Sequence, residues 1–176
     1  MQTIFADRRQ AFYRFAVLLD MPTISEAAWR GYVTNKLQSL GIGITDPALS
    51  LLLQKTGGHP YCVMAVAYNA YLHVRMQSSL EVDADVIHFA YDRALDHLES
   101  IYDIQWQEIH HLKHADTVLA AIIEGVPPYS VKLSSQAVAK ALAYLIRISM
   151  ITKGERRGDY RLVEPMFGDW YRRNGR

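Results

Sequence analysis

The sequence predicts a mainly α-helical protein, in which a small helical bundle is followed by a winged helix-turn-helix with a β-hairpin wing. Two observations carry this prediction. Apolar residues recur at helical spacing in segments that begin at capping residues and end at Gly or Pro. The last third instead shows two helical patterns, two short alternating runs and a final helix. Half of the 176 residues are hydrophobic and 21% are charged, as expected for a chain that buries a core.

The predicted bundle occupies residues 23–112. Thr23 and Glu26 form a capping box for a first helix that stops at Gly41. The apolar face of this helix consists of Trp29, Val33, Leu37 and Leu40. Thr45 caps a short second helix, and Asp83 caps a long one whose pattern becomes irregular over residues 104–111. Four or five helices with short links favour a bundle.

A Gly-Gly break separates the second helix from the third, in the run Thr56-Gly57-Gly58-His59-Pro60-Tyr61. Pro60 suits the first position of a helix that continues to about Gln77. The backbone N–H groups at such a helix start have no partner within the helix, and they favour an anion or a nucleotide. The chain contains no G-x-x-x-x-G-K-[ST] loop, however, so it has no Walker A motif of its own to hold phosphates.

The predicted winged helix occupies residues 113–176. A helix over residues 116–124 ends at Gly125, and Ser134 with Ser135 caps the next helix. Residues 150–153 and 159–163 then alternate as strands around a turn that contains two glycines. A last helix over residues 165–172 closes the unit. Its inward residues are expected to be Met166, Phe167 and Trp170.

The charge of the chain is unevenly distributed, although its net value is only +1. Residues 1–112 carry 8 Lys and Arg against 12 Asp and Glu, a balance of −4, whereas residues 113–176 carry 11 against 6, a balance of +5. The basic third suggests an anionic partner such as duplex DNA. The expected DNA contacts are Ser135, Gln136 and Lys140 on the second helix, and Lys153, Arg156, Arg157 and Arg161 on the wing. A winged helix can also pack on a protein instead.

Other reactive residue types predict neither a catalytic nor a metal site. His110 and His114 could share a helix face, but no Cys or carboxylate pattern completes a closed site there. The single cysteine, Cys62, excludes an internal disulfide and is expected to be a buried structural thiol. An acidic stripe that includes Asp92 and Asp96 is expected to be a solvated face. The longest apolar runs are too short to cross a bilayer and no leader opens the chain, so we expect a cytoplasmic protein without a membrane partner.

Three stretches resemble the archaeal-type P-loop ATPases of the STAND group, which are relatives of the AAA+ ATPases. They are the run at residues 12–16, the motif at residues 56–61 and the segment from Ala141-Leu142 to Tyr160-Arg161-Leu162-Val163-Glu164-Pro165-Met166-Phe167. The resemblance extends over nearly the whole chain. It implies an order of P-loop core, helical lid and winged helix, with residues 1–22 as the tail of a core domain that is not included here.

The resemblance also implies that Gly58, His59 and Pro60 contact the nucleotide in a full-length parent protein, an ATPase that would use ATP or ADP with magnesium. Because Walker A and Walker B are absent from this chain, the chain by itself is expected to bind no cofactor and to hydrolyse no ATP. It would act as a non-catalytic lid and winged-helix portion that couples the nucleotide state to an effector protein or to DNA.

Two alternatives remain open at the level of the sequence. The chain could be a stand-alone winged-helix DNA-binding regulator, or a protein-interaction adaptor that binds neither nucleotide nor DNA. Separately, the apolar segment at residues 10–21 is expected to be exposed when the ATPase core is missing. That exposure predicts a homodimer or an exchange of strands through residues 10–21.

Overall fold

A computed structural model describes residues 24–154, 156 and 158–174 of the chain. The α-helices are α1 (Glu26–Gln38), α2 (Asp46–Thr56), α3 (Pro60–Met76), α4 (Ala84–Ile109), α5 (Ala115–Ile123), α6 (Ser135–Arg147) and α7 (Pro165–Arg173). The short strands are β1 (Gly43–Ile44), β2 (Glu81–Val82), β3 (Ile151–Lys153) and β4 (Tyr160–Leu162). A 3-10 turn, Pro128–Ser130, lies between α5 and α6. The predicted dimerising segment at residues 10–21 and the predicted core tail at residues 1–22 lie outside the described residues.

Side-chain caps define where several helices begin. Thr45, Asp83 and Ser134 each accept a hydrogen bond from the backbone N–H three residues later, as their sequence positions predict. The cap of α1 differs from the prediction, because Ser25 accepts from the Ala28 N–H and the helix begins at Glu26. The helix therefore starts two residues later than a cap at Thr23 would give.

The bundle packs α1 to α4 around one apolar core. α3 and α4 lie against each other over most of their length, with Val63, Val66 and Val74 of α3 fully buried. A parallel pairing of β1 with β2, in the register Gly43↔Glu81 and Ile44↔Val82, ties the end of α1 to the start of α4. No sequence pattern predicted this pairing, since two-residue strands leave no alternation to detect.

Two predicted core positions are exposed. α1 ends at Gln38, before Leu40, whose side chain is 43% exposed instead of completing the buried face. Ile101, which the helical spacing of apolar residues after Asp83 predicts on the inward face of α4, is 42% exposed. α4 itself runs without interruption to Ile109, because the buried Tyr102 and Ile109 continue its inward face through the stretch where the sequence pattern becomes irregular.

The last third is a winged helix. α5 and α6 pack as the helix pair, and β3 and β4 form an antiparallel hairpin in the register Ile151↔Leu162 and Lys153↔Tyr160. α7 closes the unit, and its inward residues Met166, Phe167 and Trp170 are buried as predicted. The structure thus confirms a mainly α-helical fold with a helical bundle followed by a winged helix-turn-helix.

The bundle and the winged helix share one core, which is joined by α4 and α7. The ring of Tyr102 packs edge-on against Phe167, with 5.4 Å between ring centroids, and also contacts Trp170 at 5.8 Å. The buried Tyr91 hydroxyl donates to a carboxylate oxygen of Asp169 at 2.5 Å. Burial, followed by this hydrogen bond, raises the pKa of Tyr91 well above its usual range, so the hydroxyl stays protonated as a donor. Within the described residues no helix is long and apolar enough to cross a membrane.

Replacing Tyr91 by phenylalanine removes the hydroxyl that joins α4 to α7 and leaves the Asp169 carboxylate without this donor. We expect Tyr91→Phe to lower the free energy of unfolding by about 1.5–3 kcal/mol, the usual range for a hydrogen bond to a charged group. Urea denaturation followed by circular dichroism measures it. Tyr68→Phe is the matched control, because Tyr68 is 59% exposed. Equal losses in the two variants would contradict the role of this bond.

Candidate functional site

The predicted nucleotide contact lies in a tight turn between α2 and α3, which we call the 57–60 turn after its residues. Gly57 ends α2 in the left-handed region with φ +57°, and Gly58 follows with φ +66°. The Gly58 carbonyl accepts a hydrogen bond from the Trp29 indole N–H at 2.9 Å. His59 is the N-cap of α3, and Pro60 is its exposed first residue. The sequence run therefore forms the helix start that it predicts.

The 57–60 turn packs directly against the start of α7. A Cβ atom placed on Gly57 would lie 2.8 Å from Cγ of Pro165, which is closer than a side-chain carbon can approach. Residue 57 must therefore be glycine for two reasons: its φ is positive, and its α-carbon lies too close to the proline for a side chain. This contact connects the predicted lid to the last helix of the winged helix.

Next to this contact, residues from both parts form a cluster of reactive side chains. His59 Nδ1 lies 3.4 Å from Sγ of Cys62, one helical turn further along α3. A carboxylate oxygen of Glu164, at the N-cap of α7, lies within 4.8 Å of both ligand atoms. The Tyr102 hydroxyl donates to Oε2 of Glu164 at 3.2 Å. We call His59, Cys62 and Glu164 the HCE cluster.

The surroundings keep the cysteine in its neutral form. Burial, and next the negative charge of Glu164, raise the pKa of the Cys62 thiol to about 12. Hydrogen bonds with the Tyr102 hydroxyl and the Met166 backbone act in the opposite direction and are weaker. Burial raises the pKa of Tyr102 as well, with contributions from Cys62 and Glu164. In the absence of a cation, Cys62 is therefore a protonated thiol and a poor nucleophile.

A surface cavity of about 330 Å³ opens beside the 57–60 turn. Its lining consists of Ile24, Glu26, Trp29, Ser50, Leu53, Gln54, Gly57 and Gly58. The indole of Trp29, the aliphatic carbons of Ile24 and Leu53 and the amide of Gln54 line the cavity, and Glu26 is the charged residue among its lining residues. Arg30 pairs with Glu26 at 2.9 Å and donates to Ser50 at 2.6 Å, which partly neutralises the carboxylate. The lining is thus a mixed surface that suits a planar group with polar edges.

The residues predicted to contact DNA divide between α6 and the hairpin. Ser135, Gln136 and Lys140 are all exposed near the start of α6. Lys153 and Arg156 are exposed on the hairpin. In the described part of the chain, no ion pair involves Lys140, Lys153 or Arg156. Their positive charges are therefore available to an anionic partner.

The two remaining residues predicted to contact DNA, Arg161 and Arg157, differ from these three. Arg161 is exposed but donates to the Asp159 carboxylate at 3.0 Å, which partly neutralises its charge. Arg157 lies outside the described residues, so its predicted role as a DNA contact stays a prediction.

The histidines near the start of α5 do not form the pair considered from the sequence. His110 contacts the Trp106 carbonyl oxygen through Nδ1 at 3.0 Å and lies 3.9 Å from Asp116 through Nε2. His114 is the N-cap of α5, with φ +71°. In the ranges that the structure describes, the group able to hold a metal ion is the HCE cluster instead.

Sequence reasoning missed Glu164 and Tyr102 as partners of the 57–60 turn. The spacing of His59 and Cys62, three residues apart at a helix start, was the one local signal, because such residues share a helix face. Glu164 lies more than a hundred residues further along the chain. Its approach depends on the docking of α7, which no local pattern encodes.

Comparisons with known proteins give little further guidance. Neither a scan of protein-family models nor a search of curated proteins found a match. Among solved structures, the RuvB Holliday junction branch migration motor of Thermotoga maritima is similar with a TM-score of 0.42 and 10% identity, over 88% of this chain and 50% of that chain. A RuvB mutant gives 0.43 and 12%, over 92% and 52%. The chain thus spans about half the length of these neighbours, and TM-scores below 0.5 support no conclusion about its function.

The close contact between Gly57 and Pro165 can be tested with a pair of glycine substitutions. Gly57→Ala adds both a strained φ and a clash with Pro165, whereas Gly41→Ala at φ +74° adds strain with no atom within 4 Å. We expect Gly41→Ala to cost about 1 kcal/mol of stability and Gly57→Ala to cost about 1–3 kcal/mol more, as overpacking does. Chemical denaturation measures both. Equal losses of stability in the two variants would contradict the close contact between Gly57 and Pro165.

Proposed function

We propose that the chain is the non-catalytic lid and winged-helix portion of a STAND-type ATPase, which couples the nucleotide state to a partner contact. In this proposal residues 1–22 are the tail of the nucleotide-binding core, residues 23–112 are the lid and residues 113–176 are the winged helix. The packing of the 57–60 turn on Pro165 and Glu164 is the observation that carries the proposal. A ligand that moves the turn must also move the start of α7, because no free space separates them.

The cavity beside the turn supports a specific orientation of the nucleotide. Ile24, which is 45% exposed, offers apolar surface to a base, while Gln54 and Ser50 offer polar edges. His59 and the first backbone N–H groups of α3 would face the phosphates, which the helix dipole favours. A core domain with its own phosphate loop and magnesium ion would close the site from the other side. The chemistry would then belong to the core and the coupling to this chain.

The test uses the protein as its source cells make it. Blotting with an antibody to this segment should show a band well above 20.1 kDa, because the proposal requires a core domain. That native protein should bind ATP or ADP, and His59→Ala should weaken the binding about tenfold, the effect of losing about 1.4 kcal/mol of hydrogen bonding. The exposed His111→Ala is the control. A native mass of 20.1 kDa, or a native protein that binds no nucleotide, would contradict the proposal.

A stand-alone DNA-binding regulator is the second candidate, and the exposed cations of α6 and the hairpin favour it. Lys140, Lys153 and Arg156 lie on the two elements with which a winged helix meets a duplex. The polar Ser135 and Gln136 at the start of α6 are residue types that contact bases or phosphates. The same surface could hold an effector protein, so DNA binding needs its own experiment.

The double substitution Arg156→Glu with Arg157→Glu tests the DNA contact. If the wing contacts phosphates, the affinity for duplex DNA should fall at least about tenfold. The slope of the logarithm of the binding constant against the logarithm of salt concentration should also become shallower by about 2. Fluorescence anisotropy with a labelled duplex at several salt concentrations measures both. Lys36→Glu with Arg75→Glu makes the same change in net charge on exposed positions of the bundle. Equal weakening by the two pairs, or no binding by the unmodified chain, would contradict direct DNA recognition.

A further inference from the structure

We propose that the HCE cluster is a zinc site that fastens the 57–60 turn to the start of α7. The ligands would be Nδ1 of His59, Sγ of Cys62 and a carboxylate oxygen of Glu164, which come from two helices about a hundred residues apart in the chain. The proposal goes beyond the lid role, because it concerns what holds the turn to α7 and not what the turn binds. His59 would serve both roles, and the metal is therefore titrated without nucleotide.

The ligand geometry fits a small tetrahedral ion. Zinc holds a nitrogen at about 2.0–2.1 Å and a sulfur at about 2.3 Å, which places the two ligand atoms about 3.5 Å apart in a tetrahedron. His59 Nδ1 and Cys62 Sγ are 3.4 Å apart, and all three ligand atoms lie within 4.8 Å of one another. A small inward movement of the carboxylate would complete the three-ligand arrangement.

The ligand types of the HCE cluster favour zinc over calcium and magnesium. Imidazole and thiolate are the ligands of zinc and similar transition metals, whereas calcium and magnesium prefer sites made of oxygen atoms. Thiolate and carboxylate carry two negative charges, which balance one divalent ion. Cys62 lies in the first turn of α3 and Glu164 at the cap of α7. A bound ion would displace the proton that the Cys62 thiol carries in the absence of a cation.

The surroundings provide an orienting partner and an access route. The Tyr102 hydroxyl donates to Oε2 of Glu164 and so orients the carboxylate, as second-shell donors do in zinc sites. Cys62 is fully buried, but His59 and Glu164 are only half-buried. An ion can therefore enter from their side, and a water molecule can fill the fourth position.

Cobalt titration of the purified, reduced chain tests the site, because cobalt replaces zinc and its absorption reports a thiolate ligand. We expect one equivalent of Co²⁺ to bind with a thiolate-to-cobalt charge-transfer band, and zinc to displace it. Cys62→Ser should abolish the band. His59→Gln and Glu164→Gln should keep the band but weaken the affinity for cobalt at least about tenfold. Changes to residues that only orient a ligand already cost about 10–100-fold, so the loss of a ligand should cost no less.

The control is the double variant His110→Gln with His114→Gln, which removes two histidines outside the HCE cluster, one of them 3.9 Å from Asp116, and should bind cobalt like the unmodified chain. Circular dichroism checks that each variant is folded, and the His59 and Glu164 variants still report on the site if Cys62→Ser does not fold. A band that survives Cys62→Ser, affinity lost only in the control, or no stoichiometric binding of cobalt or zinc would each overturn the proposal.

Discussion

The packing of the 57–60 turn on the start of α7 is the contact on which the architecture depends. It needs a glycine at residue 57, because any side chain would meet Pro165. It also determines where α7 lies, and α7 supplies Phe167 and Trp170 to a core shared with Tyr102 of α4. The bundle and the winged helix are therefore not two cores joined by a linker. They are two parts of one packed interior, in which the turn cannot move toward α7 without displacing Pro165.

Two buried phenols of this junction each donate a hydrogen bond to a carboxylate. Tyr91 donates to Asp169 and Tyr102 donates to Glu164, in each case from α4 to α7 or its cap. Burial raises the pKa of both phenols, which keeps their protons in place for these bonds. Glu164 has three neighbours in this junction. It accepts a hydrogen bond from Tyr102, and it lies beside the thiol of Cys62 and the ring of His59. A cation shared by these groups would relieve the repulsion that the carboxylate exerts on a thiolate.

The cations Lys140, Lys153 and Arg156 lie outside the junction. Lys140 belongs to α6 and Lys153 to β3, while the junction uses the start of α7 and its cap. In the proposed role, one surface would sense the nucleotide and another would contact a partner. The charge balance of residues 113–176 favours an anionic partner for that contact. Whether that anion is a duplex or an acidic protein surface depends on shape and hydrogen bonding, which charge alone does not specify.

The sequence by itself determined the helical segments, the order of bundle and winged helix, and the glycine-rich start of α3. These follow from local rules, because caps such as Thr45 and Asp83 act within one turn and apolar spacing repeats within each helix. The tertiary structure alone decided the pairing of β1 with β2, the exposure of Leu40 and the meeting of His59, Cys62 and Glu164. These depend on contacts between distant segments. No local pattern records such contacts, and Glu164 in particular reaches His59 and Cys62 only through the docking of α7.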